Sequence, residues 1–172
     1  QVNPPMRLEV SQPVLDSTDM AKLHGIKKHT QGKFSSTVLD ITYPLRWGTQ
    51  GVEARLASLC AQAVDAIRGG HNILIISDRA VGAERVAIPA LLALLAIHQH
   101  LIREGLRTRA SLVLETGEAR EVHHFALLIV YGVSAINPYL AFETIDHMIH
   151  EGLLNHVDHR TACRNFVKAA SK

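Results

Sequence analysis

The sequence predicts an α/β fold: about four consecutive βα units laid around a parallel sheet. Three observations point to it. Short runs of β-type apolar residues alternate with longer stretches of helical periodicity. Glycine closes each unit in turn, at Gly69/Gly70, Gly105, Gly132 and Gly152. The run "NILIIS" holds Ile73, Leu74, Ile75 and Ile76 without interruption, as in a strand buried on both faces.

Residues 1–33 read as an extended connector from a preceding domain, and 34–172 as the α/β domain itself. Pro4, Pro5 and Pro13 favour extended backbone. "DSTDMAKLHGI" predicts one short helix, capped by Ser17 or Thr18 and ended at Gly25. "STVLDIT" predicts the first strand. A helix over 49–70 follows, with Val52, Leu56, Leu59, Cys60, Ala63 and Ile67 on one face. After the strand "NILIIS" and the loop "DRAVGAERV", Pro89 suits the first turn of a helix that runs to about Glu104. "ASLVL" predicts the third strand and 119–131 the third helix. "VSAI" predicts the fourth strand. Asn137 and Pro138 suit the cap and first position of the fourth helix. A last helix is expected from about Asp158, as cap, to Ala170.

Four such units occupy about 115 residues, half of what an eight-unit (β/α)8 barrel needs at roughly 250. The expected architecture is therefore an incomplete or degenerate relative of that barrel, with two sheet edges to cover. The helices predicted over 88–104 and 119–131 carry apolar residues on more than one face. Ile88, Leu91, Leu92, Leu94, Leu95, Ile97, Leu101 and Ile102 lie on the first, and Val122, Phe125, Leu127, Leu128, Ile129 and Val130 on the second. Either another domain or subunit covers their second side, or a single domain wraps them tightly.

Composition excludes several classes. A formal net charge of +2, with no basic run, gives no footprint for nucleic acid. The longest apolar stretch, Val86 to Ile97, is too short to cross a bilayer. "QVNPPMRLEV" lacks the apolar core of a signal peptide and does not begin with Met, so an excised piece of a longer chain is expected. Cys60 and Cys163 are expected as free thiols in a reducing compartment.

In parallel α/β folds chemistry collects at the carboxyl ends of the strands. Those ends bring forward Asp40 with Thr42, then Ser77-Asp78-Arg79, then Glu115-Thr116-Gly117-Glu118, then Asn137-Pro138-Tyr139. Structural uses compete for each. Thr116 and Asn137 are placed to cap helices, Glu118 and Glu121 suit a first helical turn, and Arg120 could pair with Asp78 or Glu115. His123 and His124 are adjacent in a helix and diverge by about 100°, as do residues in any such pair, so they cannot chelate one ion together. His147 with His150, and His156 with His159, are spaced to share a ligand, but zinc needs three or four convergent donors and no H-E-x-x-H or C-x-x-C occurs. His159 and Cys163 stand i, i+4, the spacing of an imidazole-activated thiol, with no third member in view. There is no Walker-type or dinucleotide glycine loop. By chemistry alone no complete catalytic set is present, and no catalytic, cofactor or metal residue is assigned.

Three stretches carry a family resemblance: "NILIISDR", the block "AIPALLALLAIHQHLIREGLRTRASLVLETGEAREVHHFALLIVYGVSAINPYLAFETI", and the closing "RNFVKAASK". Over about Phe34 to Lys172 the sequence resembles the central domain of the glutamate synthase (GOGAT) large subunit. "QVNPP" and "QPVL" resemble that family's join to the domain before it, with the intervening stretch compressed to "MRLEVS". The resemblance implies a multidomain flavoenzyme of the cytoplasm, or of the plastid in a photosynthetic eukaryote. An amidotransferase domain with an N-terminal cysteine releases ammonia from glutamine. A later barrel with FMN and an iron–sulfur cluster makes glutamate from 2-oxoglutarate. By the same resemblance the central domain is expected to lie between them, to be itself non-catalytic and to help enclose the ammonia path. No flavin or cluster residue carries over to this chain. Asp78, Arg79, Glu115, Arg120 and Asn137 are then expected to make interdomain contacts. The competing reading is a small independent α/β enzyme that uses the strand-end carboxylates and His123 as acid and base.

Overall fold

A computed structural model describes residues 9–172. Pro4, Pro5 and the "QVNPP" join lie outside the described residues. Four parallel strands, β1 (Ser36–Asp40), β3 (Ile73–Ser77), β5 (Ser111–Glu115) and β6 (Ala135–Asn137), form one sheet in the order β1-β3-β5-β6. Each new strand is added on the same side of the last, the progression of a barrel wall that does not close. Helices α3 (Gln50–Arg68), α4 (Ala90–Arg103), α5 (Val122–Val130), α6 (Tyr139–His150) and α7 (His159–Ala170) complete the repeat. The glycines at 70, 105, 132 and 152 take positive φ where the helices end, the conformation their position in the sequence predicts.

The strand period of two sorts the apolar side chains into two layers. Leu39, Leu74, Ile76, Leu112, Leu114 and Ile136 face α3 to α7 in the main core. Ile73, Ile75, Val113 and Ala135 face the other way, into a second cluster. That cluster is completed by Leu15 and by Met20, Leu23 and Ile26 of two helices, α1 (Ser17–His24) and α2 (Ile26–His29). The described part of the expected connector thus holds the short helix the sequence predicts and a further one, α2, and both are packed against the sheet. It occupies the sheet face that would look into the barrel. The cap of α1 is Asp16 rather than Ser17 or Thr18: Asp16 and Asp19 form a reciprocal capping box.

The same segment covers one sheet edge. Val14 bridges to Ile136 in parallel register, the Leu15 amide donates to the Ile136 carbonyl at 2.8 Å, and the Ile136 amide donates to the Pro13 carbonyl at 2.7 Å.

Several boundaries differ from expectation. The stretch "STVLDIT" divides after Asp40, and β2 (Thr42–Pro44) leaves the sheet to pair antiparallel with β4 (Arg85–Ala87). The loop "DRAVGAERV" therefore ends in a small ribbon that irregular-looking sequence concealed. Helix α5 starts at Val122, not at 119, because Thr116 to Glu118 are held by contacts at the strand ends and at the start of α4, and Glu121, in extended backbone, is the N-cap of α5. Asn137 lies within β6 and Pro138 is the residue that precedes α6, so Asn137 is not its side-chain cap. No helix among the described residues is long and apolar enough to cross a membrane.

Candidate functional site

The strand ends of β3, β5 and β6 converge on two buried carboxylates, Asp78 and Glu115. Their positions follow from register: Ser77 pairs with Glu115, and Glu115 with Asn137, across adjacent strands. Asp78 accepts hydrogen bonds from the Thr116 hydroxyl at 2.6 Å, the Tyr139 hydroxyl at 2.6 Å and the Gly117 amide at 3.1 Å. Glu115 accepts from the Ser77 hydroxyl at 2.6 Å, with His24 Nε2 at 3.5 Å and Arg79 Nε at 3.8 Å. Asn137 donates its amide to the Leu15 carbonyl at 2.9 Å. These groups saturate one another, which satisfies the rule that buried polar atoms find partners. Among the described residues no buried side-chain nitrogen or oxygen lacks one.

Electrostatics stiffen the cluster. Burial first, and the Asp78 carboxylate second, push the Tyr139 hydroxyl well above the usual tyrosine pKa, so it stays a donor. The Arg79 guanidinium sits 4.4 Å from the Tyr139 ring centroid and donates to Glu143 at 3.0 Å. Glu118 does not start a helix. Its carboxylate accepts from the Ala90 amide at 3.2 Å and supplies the N-terminal cap that Pro89 cannot. Burial raises its pKa, against that bond, with Asp78 adding to the rise. Thr116 does not cap a helix with its side chain either; its hydroxyl accepts from the Glu118 amide at 3.0 Å.

Of the five residues expected at an interdomain face, the structure brings Asp78, Arg79, Glu115 and Asn137 into one connected region. Arg120 is exposed in the loop before α5. The pairing expected of it is not made, because Asp78 and Glu115 already hold the partners given above. His123 pairs with Glu121 at 3.4 Å and packs edge-on against His124, rather than meeting the strand-end carboxylates. Sequence reasoning named Ser77 and Tyr139 at the strand ends without singling them out as members of the network, and it missed His24. A hydroxyl directly before or after a strand-end turn was the available signal for the first two; His24 comes from a distant helix and gave none.

The Cys163–His159 pair does acquire a third member, since His159 Nδ1 contacts Asp146 of α6. The sulfur lies 3.5 Å from Nε2 and 3.7 Å from Nδ1, and so faces the ring edge between the nitrogens rather than either lone pair. Burial, then Asp146, raise the thiol pKa above its ordinary value. The thiol is therefore kept protonated, the reverse of activation. Among the described residues no group of three or more His, Cys, Asp or Glu side chains is placed to hold a metal ion.

Fold and site together define a half-barrel α/β module whose strand-end polar groups bind one another. The description "Glutamate synthase central domain" matches residues 1–172. Among curated relatives, glutamate synthase [NADH] of Saccharomyces cerevisiae is 41% identical over 152 residues, 88% of this chain and 7% of that protein. The glutamate synthase [NADPH] large chain of Bacillus subtilis is 42% identical over 149 residues, 87% of this chain and 9% of that one. The ferredoxin-dependent, chloroplastic glutamate synthase of Oryza sativa is 38% identical over 175 residues, covering 95% and 10%. The chain belongs to the glutamate synthase central domain family. It spans only about a tenth or less of the length of these relatives.

Proposed function

We propose that this chain is a non-catalytic linker domain of a glutamate synthase polypeptide. In this reading it couples glutamine hydrolysis to the reductive formation of glutamate from 2-oxoglutarate, and helps wall the path of ammonia between the two. Its partners are the amidotransferase and FMN-barrel domains of the same polypeptide, in the cytoplasm or a plastid. The observation that carries the reading is the closure of the strand-end network. Asp78 and Glu115, the carboxylates best placed for acid–base work, are buried and fully engaged with Thr116, Tyr139, Gly117, Ser77, His24 and Arg79. A general base needs a free lone pair within reach of a substrate proton, and these carboxylates are occupied.

FMN and an iron–sulfur cluster are implied for the whole enzyme, but the residues present do not fit either. A cluster takes four cysteine thiolates, and this chain has two cysteines, on separate helices α3 and α7. A flavin phosphate would meet Asp78, Glu115 and Glu118 at the strand-end face. Both groups belong elsewhere in the polypeptide.

Ammonia released into water near neutral pH becomes ammonium and loses its nucleophilicity, so a walled route between the two chemistries is required. A rigid βα module can set the distance and bias one site by the state of the other, as a coupling free energy. Arg79 and Arg120 reach solvent from the strand-end face and are the side chains best placed to meet a neighbouring domain. Arg120→Ala in the full-length polypeptide should lower the glutamate formed per glutamine hydrolysed below one. A ratio that stays at unity counts against the reading.

A further inference from the structure

Helix α5 is built opposite to a surface helix. Only Phe125 and Leu128 are buried on its inner side. Outward it presents Val122, Leu127, Ile129 and Val130, with Tyr131 just beyond; Val130 is 79% exposed, the highest value among the exposed large apolar side chains. No Asp, Glu, Lys or Arg occurs from Val122 to Tyr131. Arg107 Nε donates to His98 at 2.9 Å and its Nη2 donates to the Gly132 carbonyl, so the end of α5 lies against α4. One turn after His98 on α4, Ile102 is also exposed. An apolar helix face of this kind, free of Asp, Glu, Lys and Arg along its length, is rarely left in water.

We propose that this face, centred on Leu127 and Val130, is the seat of an apolar segment from elsewhere in the same polypeptide. The proposal rests on the reading of the chain as one module of a larger synthase. Two arguments select that occupant over a second copy. Relatives matched over 87% and 95% of this chain are covered by it over only 9% and 10% of their own length, so most of such a polypeptide is available to cover the face. The face is also small. A nine-residue helix is about 13 Å long, and its exposed side offers a few hundred Å² at most, short of the roughly 600 Å² per partner at the low end of stable associations between separate molecules. A patch of that size holds a partner that is tethered, because linkage supplies the effective concentration that the contact lacks.

The test places a photo-activated benzoylphenylalanine at Val130, at Leu127, and at Gln62 on the exposed polar side of α3, in the full-length polypeptide. The expected result at Val130 or Leu127 is an intramolecular cross-link, mapped by peptide mass spectrometry to a segment outside residues 1–172, with none at Gln62. A cross-link to a second copy, seen as a doubled mass, overturns the proposal, as does the absence of cross-links at both positions. The outcome is independent of coupling. A cross-link with an unchanged glutamate-to-glutamine ratio in Arg120→Ala keeps the docked face and removes the coupling role.

Discussion

The hydroxyl of Tyr139, the first residue of α6, donates to Oδ1 of Asp78 at the end of β3, 2.6 Å away. The contact joins the second βα unit to the fourth across the third, whose Thr116 and Gly117 bind the same carboxylate. Removing one donor to a charged acceptor costs about 1.5–3 kcal/mol. Tyr139→Phe should lie at the lower end, because its ring still packs under Arg79. Asp78→Ala leaves the Thr116 and Tyr139 hydroxyls without their acceptor in a buried place, and should cost about 3 kcal/mol or more. Urea unfolding of both variants checks this. Equal and small losses would mean that water replaces the carboxylate freely.

Asn137 ties the N-terminal helices to the sheet. Its amide donates to the Leu15 carbonyl, and it is 1% exposed. Asn137→Ala should unseat the start of α1 while β3 and β5 stay packed under α3 to α7. Hydrogen exchange should then rise over residues 17–29 and remain slow at 73–77. Uniform loss of protection would show that the second apolar cluster is part of one cooperative core rather than a separable layer.

The four strands of the parallel sheet, the four glycine stops and the sequential βα order were legible because each rests on local chemistry: period, β-branching and positive φ. Where several residues competed for one role, local reasoning chose wrongly. Ser17, Thr18, Thr116 and Asn137 are all good caps in isolation, yet Asp16 caps α1, Thr116 turns to Asp78 and Asn137 turns to Leu15. The role of 13–29 as cover for the inward face and for the β6 edge depends on contacts about 120 residues apart in sequence, between Val14 or Leu15 and Ile136. At the strand ends, Asp78, Arg79, Glu115 and Asn137 could be picked out because strand termini are where such groups gather. Arg120 was linked to Asp78 and Glu115 by charge alone; its loop leaves it exposed, outside their hydrogen-bond network.

Arg107 holds three elements at once. It donates to His98 of α4, to the Ala110 carbonyl at 2.8 Å ahead of β5, and to the Gly132 carbonyl after α5. Arg107→Ala leaves three acceptors without their donor and should cost about 2–3 kcal/mol. Arg107→Lys should recover less than half of that, since one ammonium cannot reproduce a planar fork reaching three directions. Thermal unfolding of the pair decides the point; full rescue by Lys would reduce the contribution to charge alone.

Because Arg107 donates to Nδ1 of His98, that nitrogen must stay unprotonated in the folded state. Burial first, and the neighbouring guanidinium second, lower the His98 pKa from its usual value. Below about pH 6.5 the unfolded chain therefore binds more protons at this site than the folded one, and stability falls as the pH drops through that value. Above it the site adds no pH dependence. His98→Gln keeps an acceptor for Arg107 without a titrating ring. Its melting temperature should gain on that of the wild type as pH falls from 7.5 to 5. Parallel curves would show that His98 is free to take up a proton when folded.

Gly132 is the glycine stop with least tolerance for a side chain. It has φ +96°, and a Cβ there would meet the His98 ring at 2.8 Å, a ring that Arg107 holds in place. Gly70 shares the backbone conformation, with φ +95°, but nothing lies within 4 Å of its Cβ position. The two sites separate conformational strain from packing. Gly70→Ala should cost about 1 kcal/mol, the strain of positive φ alone. Gly132→Ala adds displacement of a fixed ring and the loss of its bond to Arg107, and should cost about 2 kcal/mol more. The double variant Gly132→Ala with His98→Ala, compared with His98→Ala alone, should bring the Gly132 penalty back to the Gly70 value. If Gly132→Ala and Gly70→Ala unfold at the same urea concentration, the ring is mobile and the Arg107 fork does not fix the junction of α4 and α5.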